Sequence, residues 1–157
     1  MAACTELAEE DWIPASFNQG WTYSQRIAAV DSGRGLVELL ATSYTHSSRH
    51  IWQQRLRAGE IRLNGELVKS DQILALGDQL CWQRPPWLEA AVPTAWEVIF
   101  DDGDLLVINK PSGLPVMPGG GFLDHTLTGL LQLRCQRAGE SQAPRPVHRL
   151  GRFTSGL

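Results

Sequence analysis

The sequence predicts an α+β protein made of two parts that a proline-containing segment joins. Apolar residues recur at helical spacing in residues 36–41, and a basic segment over 49–58 ends at Gly59. Asn64-Gly65 lies between short alternating apolar segments, which is the pattern of a β-hairpin. After prolines 85, 86 and 93 comes a second region rich in strand-forming residues. We therefore expect a small domain of two helices and a short sheet, followed by a mixed α/β domain.

The first 33 residues show no firm periodicity. Trp12, Phe17, Trp21 and Tyr23 nevertheless indicate a segment that packs on the rest of the chain rather than a free tail. We predict an N-terminal extension over residues 1–33.

Two helices and a hairpin are predicted next. Leu36, Leu39 and Leu40 share one helical face, and Ser47 or Ser48 can cap a second helix over residues 49–58. Residues 61–63 alternate as a strand does, and residues 67–68 begin the return strand after the Asn64-Gly65 turn. Residues 73–82 add a further strand-like segment, so we predict a domain over residues 34–82.

The second domain is predicted to follow a linker over residues 83–95. Residues 96–100 and 105–108 are predicted strands, residues 118–121 a mobile loop, and residues 126–133 a helix capped by Asp124 or Thr126. The sequence stops within an apolar motif, so we expect residues 96–157 to form an incomplete domain.

Composition restricts the class of protein. The chain has 157 residues, of which 43% are hydrophobic and 20% charged, as in a globular protein. Apolar runs such as residues 73–76 are much shorter than the roughly 18 residues of a membrane span, and the acidic N-terminus differs from a signal peptide. Three separated cysteines without a CxxC motif favour a reducing compartment. We expect a cytoplasmic protein without membrane partner, metal or cofactor.

Positive charge is segregated although the net charge is −3. Residues 45–70 hold five basic side chains against two acidic ones, and residues 134–152 hold five arginines against Glu140 alone. Such segregation suits a surface that faces polyphosphate. On charge alone, however, a solvated helix face is the more common explanation.

Residues 34–82 resemble the alpha-L RNA-binding domain, which occurs in a ribosomal small-subunit protein and in many RNA-modifying enzymes. The basic second helix and the segment Gly59-Glu60-Ile61-Arg62-Leu63-Asn64-Gly65 carry this resemblance. It implies contacts with RNA phosphates and favours RNA binding over a merely solvated face. The implied RNA-binding residues are Arg49, Arg55, Arg57, Arg62, Asn64 and Lys69.

Residues 96–157 resemble the first part of the catalytic domain of RluA-type RNA pseudouridine synthases. Asn109-Lys110-Pro111-Ser112-Gly113-Leu114 matches the family's Asn-Lys-Pro-x-Gly-Leu segment. Residues 148–157 match His-Arg-Leu-Asp-x-x-Thr-Ser-Gly-Leu at every fixed position except 151. The resemblance implies catalytic positions at His148, Arg149 and Gly151, with Arg149 helping to occupy the gap left by the flipped nucleotide.

Gly151 stands where the family has the aspartate that acts on the target uridine. Glycine has no side chain and cannot serve as nucleophile, acid or base. The resemblance therefore predicts an N-terminal portion of a pseudouridine synthase for structured RNA, either rRNA or tRNA. With Gly151 at this position, conversion of uridine would need a carboxylate from elsewhere, and otherwise the protein would bind RNA without converting it. A non-catalytic RNA-binding module and a truncated product without function remain as alternatives. We expect a monomer.

Other motifs are predicted to be structural. His46 and His50 stand four residues apart but lack a third nearby metal ligand. Gly119-Gly120-Gly121 is not followed by a phosphate-loop motif. The aspartates of residues 101–104 suit a hairpin turn, and Lys110 before Pro111 is expected to be structural rather than catalytic.

Overall fold

The computed structural model describes residues 11–157, so the first ten residues of the predicted N-terminal extension lie outside the described part. Within that part the fold is mixed α and β. Its strands are β1 (Trp12–Ile13), β2 (Ser16–Phe17), β3 (Trp21–Arg26), β4 (Ile61–Leu63), β5 (Glu66–Leu67), β6 (Gln79–Arg84), β7 (Leu88–Glu89), β8 (Val92–Pro93), β9 (Glu97–Asp101) and β10 (Leu106–Asn109). Its α-helices are α1 (Leu36–Ser43), α2 (Arg49–Ala58) and α3 (Leu127–Ala138), and a 3-10 turn covers Ala29–Asp31.

These elements form two compact units. Residues 19–86 form one, which we call the helix-sheet unit. Residues 11–18 together with 87–157 form the other, which we call the split unit. The domain boundaries inferred from the sequence stay predictions, although residues 83–95 contain β7 and β8.

The helix-sheet unit packs α1 and α2 on an antiparallel sheet of four strands, in the order β3-β6-β4-β5. Its core includes Leu36, Leu40, Trp52, Ile61 and Leu80, all nearly inaccessible to solvent. Burial of these side chains is the main stabilising contribution, at about 1.5–3 kcal/mol for each large apolar side chain.

Local signals set the elements of this unit, and the predicted helices and hairpin are confirmed. The Ser48 side chain accepts a hydrogen bond from the Ile51 N–H at the start of α2, and Gly59 ends the helix with a φ of 82°. Asn64 and Gly65 have φ values of 54° and 86°. Two positive φ values in succession are what a type I′ hairpin turn requires.

Strand β3 is an element that the sequence analysis did not predict. It pairs along its whole length with β6, from Trp21 opposite Arg84 to Arg26 opposite Gln79. Aromatic and polar residues alternate in Trp21-Thr22-Tyr23-Ser24, and that period of two was the available signal. Because both partners must be known before pairing can be inferred, a segment so distant from β6 is hard to assign from sequence.

The split unit consists of paired short strands and α3. β1 pairs with β8, β2 with β7, and β9 with β10, each antiparallel. The strands predicted at 96–100 and 105–108 are confirmed, each displaced by one residue. The Thr126 hydroxyl caps α3 by accepting a hydrogen bond from the Gly129 N–H at 3.1 Å, and the helix runs five residues beyond the predicted end at 133. Its core contains Val92, Leu114, Leu127, Leu130 and Leu131.

None of the helices in residues 11–157 is long and apolar enough to cross a membrane.

Glu89 is a buried carboxylate around which part of the split unit is organised. Its side chain accepts hydrogen bonds from the N–H groups of Leu123 and His125, both at 2.8 Å, and of Asp124 at 3.1 Å. The Asn18 amide donates a further bond at 2.5 Å. Burial, the largest influence, raises the pKa of Glu89, but these hydrogen bonds together outweigh it and hold the pKa below its ordinary value.

We expect Glu89→Gln to destabilise the protein by about 2–3 kcal/mol at pH 7. The amide has one acceptor oxygen where the carboxylate has two, so some of the N–H groups of residues 123–125 would lose their acceptor and face an NH₂ group instead. A lowered pKa in the folded state gives stability that is present above the unfolded pKa and lost as the pH falls through the folded pKa. The difference between wild type and variant should therefore shrink below about pH 4. Urea unfolding at several pH values measures it, with the exposed Glu140→Gln as control. A constant difference across this range would contradict the prediction.

Candidate RNA-binding and catalytic sites

The structure brings together the two segments that resemble catalytic-domain motifs, residues 109–114 and 148–157. Lys110 and Gly156 exchange backbone hydrogen bonds of 2.8 and 3.1 Å. The Gly113 N–H donates to the Arg152 carbonyl at 2.8 Å, and the Ser112 hydroxyl donates to the Phe153 carbonyl at 2.9 Å. Residues distant in sequence thus form one continuous surface in the split unit.

Lys110 holds this surface together from inside. Its side chain is only 2% exposed, and Nζ donates to the carbonyl oxygens of Pro111 and Leu114, both at 2.8 Å, and of Arg152 at 3.2 Å. An ammonium group has three protons, so all of its donor capacity is used. Burial lowers the pKa of Lys110. The prediction that Lys110 is structural is confirmed by these contacts.

Arg152 forms a second connection between the segments. Its Nε donates to the Gly113 carbonyl at 3.0 Å. Its guanidinium lies 4.5 Å from the centre of the Phe122 ring and 4.9 Å from that of Phe153. Sequence reasoning missed this residue because it occupies a variable position of the resembled motif and its partners are remote in sequence.

The backbone at Gly151 does not require glycine. Its φ lies outside the left-handed region that other residues avoid, and an added Cβ would meet only the Thr154 hydroxyl oxygen, at 3.2 Å. That contact needs a shift of a few tenths of an ångström in an exposed side chain. The fold could thus accommodate an aspartate at 151, and the missing carboxylate is a difference in chemistry rather than in architecture.

His148 and Arg149 are both exposed beside Gly151. In the described part of the chain, the hydrogen bonds given for residues 151–156 have as partners backbone groups, the Lys110 ammonium and the Ser112 hydroxyl. The surface therefore offers cationic and backbone groups to a ligand.

The six predicted RNA-binding residues lie in the helix-sheet unit and fall into two groups. Arg49, Arg57 and Lys69 project into solvent. Arg49 approaches Asp71 only at 4.0 Å, and its side chain is 61% exposed. These three side chains are available for contact with a polyanion.

Arg55, Arg62 and Asn64 are instead used within the fold. The Arg55 guanidinium lies 4.5 Å from the Trp52 ring and 4.4 Å from the Trp82 ring, and it donates to the Ser47 hydroxyl at 3.0 Å. Burial is the main cause that lowers the pKa of Arg55.

The hairpin residues have partners of the same kind. Arg62 donates to the Gln83 side chain at 2.8 Å and to the Gly65 carbonyl at 3.0 Å. Asn64 donates to Asp78 at 2.9 Å and accepts from the Gln79 N–H at 2.8 Å. The sequence could not separate the two groups, because both consist of polar residues in one basic segment.

His46 and His50 do not converge on a metal site. The His46 ring stacks on Trp82, with centroids 6.0 Å apart, whereas His50 Nε2 lies 3.1 Å from the Gln54 amide. Burial, and then the charges of Arg55 and Arg84, lower the pKa of His46. Among residues 11–157 no group of three or more His, Cys, Asp or Glu side chains could hold a metal ion.

The part of the chain that contains the motif segments is similar to known proteins. Residues 104–157, which include both motif segments, match the family model described as RNA pseudouridylate synthase. The chain is 39% identical over 180 aligned positions to RNA pseudouridine synthase 5 of rice, with 99% of this chain and 45% of that protein covered.

Bacterial proteins show the same likeness. An uncharacterized RNA pseudouridine synthase of Synechocystis is 43% identical over 122 positions, covering 78% of this chain and 40% of that protein. Ribosomal large subunit pseudouridine synthase C of Salmonella typhimurium is 31% identical over 142 positions, covering 83% and 43%. The chain thus spans less than half the length of these curated relatives.

We expect Lys110→Met to destabilise the protein by about 2–4 kcal/mol, because three carbonyl groups, one buried and two partly buried, would lose their donor. Amide exchange at Gly113 and Gly156 should accelerate together, since Lys110 links their segments. Urea unfolding and hydrogen exchange measure both effects. Ser112→Ala is the matched control, because it removes one exposed hydrogen bond and should cost less than about 1 kcal/mol. Unchanged exchange in the Lys110 variant would show that the ammonium does not join the segments.

Proposed function

The chain belongs to the RluA-type RNA pseudouridine synthase family, and from this premise we propose that the protein binds structured RNA and isomerises uridine in it to pseudouridine. The observation that carries the proposal is the union of residues 109–114 and 148–157 into one surface through Lys110 and Gly156. That union gives the motif residues His148 and Arg149 a common scaffold beside position 151.

The helix-sheet unit is proposed to be an alpha-L RNA-binding domain. The order of two helices, a hairpin and a strand supports this assignment. Residues 19–86 contain eight arginines and lysines against six aspartates and glutamates, although the whole chain is negative. We assign phosphate contacts to Arg49, Arg57 and Lys69, which are exposed, and assign the stability of the unit to Arg55, Arg62 and Asn64.

The proposed reaction is an isomerisation and needs no co-reactant. The bond between C1′ of the ribose and N1 of uracil breaks, the base rotates, and a bond forms between C1′ and C5. The proton on C5 is lost and N1 acquires one, so atoms and electrons balance. We propose that the Arg149 guanidinium helps to fill the space that the flipped nucleotide leaves, where it can stack on bases and bind phosphate.

Position 151 decides between this function and a second candidate. A carboxylate close to the sugar and base supplies much of the rate in such a reaction, and Gly151 supplies none. A carboxylate from another residue must therefore act in the enzyme. The same glycine favours the alternative, in which the protein binds RNA without converting it.

We further propose that the protein acts as a monomer on rRNA or tRNA in the cytoplasm. The three cysteines of the sequence are far apart and form no CxxC motif, which suits a reducing compartment. The basic surface of the helix-sheet unit suits structured RNA rich in closely spaced phosphates.

We expect Arg57→Ala to weaken binding of a structured rRNA hairpin and to reduce the slope of log K against log salt by about 0.7–0.9. Arg49→Ala and Lys69→Ala should each do the same, since every variant removes one phosphate contact. Filter binding at several salt concentrations measures the slope. Gln54→Ala, a neutral and exposed change on the same helix, is the control.

Arg55→Ala should act differently, by lowering stability through the loss of its contacts with Trp52 and Trp82. If the three exposed variants all keep the wild-type slope, the assignment of this surface to RNA phosphates is wrong.

We expect pseudouridine at one or a few RNA positions in cells that produce the protein and unmodified uridine there when its gene is disrupted. Carbodiimide mapping or mass spectrometry of rRNA and tRNA measures the difference. Gly151→Asp, introduced in the same gene, should raise modification if the glycine reflects a lost carboxylate and should change little if another carboxylate has replaced it. Identical pseudouridine maps together with intact RNA binding would favour the second candidate, a binding module.

A further inference from the structure

One face of the four-stranded sheet in the helix-sheet unit carries aromatic side chains beyond the area that the helices cover. Trp21 and Tyr23 lie on the same face of β3, opposite Arg84 and Trp82 of β6. Trp82 is buried, whereas Trp21 is 52% and Tyr23 39% exposed. We call Trp21, Tyr23, His46, Trp82 and Arg84 the aromatic edge. Along this face of the sheet, buried Trp82 is followed by the exposed side chains of Tyr23 and Trp21.

Two rings of the aromatic edge, those of Tyr23 and His46, pack on the Trp82 ring. Tyr23 stacks on Trp82 with ring centroids 5.0 Å apart and an angle of 17° between the planes. His46 is inclined by only 24° to the same ring. Trp82 is itself anchored, because its Nε1 donates to Glu60 at 2.9 Å and the Arg55 guanidinium lies 4.4 Å from its ring. A flat ligand that contacts Tyr23 would therefore meet a ring that is already oriented, so little of that side chain's freedom would be lost on binding.

An open groove of about 520 Å³ adjoins this edge, between residues 19–22 and 83–85. Trp21 and Arg84 line it together with Gln19 and Gln83, of which Gln83 already accepts a hydrogen bond from Arg62 through its side-chain oxygen. Gln19 carries an amide, a group that both donates and accepts hydrogen bonds, as the edges of nucleobases do. An indole ring beside a guanidinium group offers a stacking surface and a positive charge in one place.

Charge favours a polyanion as the occupant. Neither β3 nor β6 contains an aspartate or glutamate, and each ends in an arginine. The surrounding unit also has more basic than acidic residues. Apolar area alone would suit many partners, but aromatic rings, amides and cations together suit a nucleotide.

We propose that the aromatic edge binds an unpaired nucleotide of the RNA, with the base stacked on Trp21 and a phosphate near Arg84. The proposal rests on RNA as the substrate of the proposed function, and it adds a single-stranded subsite on a different element from the phosphate-contacting residues of α2. The protein would thereby recognise a helix of RNA next to a loop or bulge rather than a uniform duplex.

The test uses the full 157-residue chain and two fluorescein-labelled RNAs, a 12-nucleotide oligouridylate and a fully paired hairpin. Trp21→Leu keeps an apolar side chain but removes the ring, and should weaken oligouridylate binding about 5- to 100-fold, which corresponds to about 1–3 kcal/mol for one stacked base. Trp21→Phe keeps a ring and should stay within a few-fold of wild type. Trp12→Leu is the matched control, because Trp12 is 55% exposed but lies in the split unit.

Nuclear magnetic resonance of the unsubstituted chain gives a readout that does not depend on a variant folding. The Trp21 indole N–H signal should move during titration with oligouridylate, while the Trp12 signal should not. Since stacking involves no counterion release, Trp21→Leu should also leave the salt slope unchanged, in contrast to Arg57→Ala.

The outcomes separate this proposal from the proposed function. If wild type and Trp21→Leu bind each RNA with equal affinity, and the Trp21 indole signal does not move during titration, the proposed subsite is wrong while the proposed function still stands. Failure of the unsubstituted chain to bind either RNA counts against the proposed RNA surface as well. If Trp21→Leu instead abolishes self-association of a dimer and leaves RNA binding intact, the edge is an interface between copies of the chain, and the proposal is wrong.

Discussion

The buried ammonium group of Lys110 is the interaction on which the candidate catalytic surface depends. The charge is stabilised by hydrogen bonds to three carbonyl oxygens rather than by a carboxylate. One of these carbonyls, that of Arg152, belongs to a segment remote in sequence. Glu89 is its counterpart in the same unit, a buried anion held by backbone N–H groups of residues 123–125. A charge buried with backbone partners costs much free energy if those partners are displaced. Loops without regular secondary structure therefore acquire defined positions.

In the helix-sheet unit, Trp82 is the residue on which many of the packing contacts depend. One ring contacts Tyr23, His46, Trp52 and Arg55, and its N–H is bound by Glu60. This arrangement gives two arginines of one helix different roles. Arg55 lies against the rings and stabilises the fold, while Arg57, two residues later, faces solvent and can contact RNA. The helical rotation of about 200° between them accounts for the difference.

At Gly151 the proposed site lacks a side chain that could react, although the backbone there forms an ordinary turn. The neighbouring turn closes through the Thr154 N–H and the Gly151 carbonyl at 3.1 Å, a contact that uses only backbone atoms. The φ of Gly151 is not one that requires glycine, and an added Cβ would meet only the Thr154 hydroxyl oxygen, so an aspartate there needs a small shift of that side chain. In the proposed function, RNA binding and conversion of uridine can therefore vary independently. The proposed RNA contacts use exposed cations and rings, whereas the proposed conversion also needs a carboxylate.

The sequence by itself determined the elements whose causes are local. The helix α2 follows from a serine cap and a closing glycine, and the hairpin follows from Asn64-Gly65, because each depends on residues a few positions apart. The two motif segments were also recognisable from their order of residues. Only the tertiary structure decided that β3 completes the sheet, that Arg55 and Asn64 have partners within the fold, and that Lys110 and Arg152 join the motif segments. Each of these facts depends on contacts between residues far apart in the chain, and local propensity carries no information about which distant groups will meet.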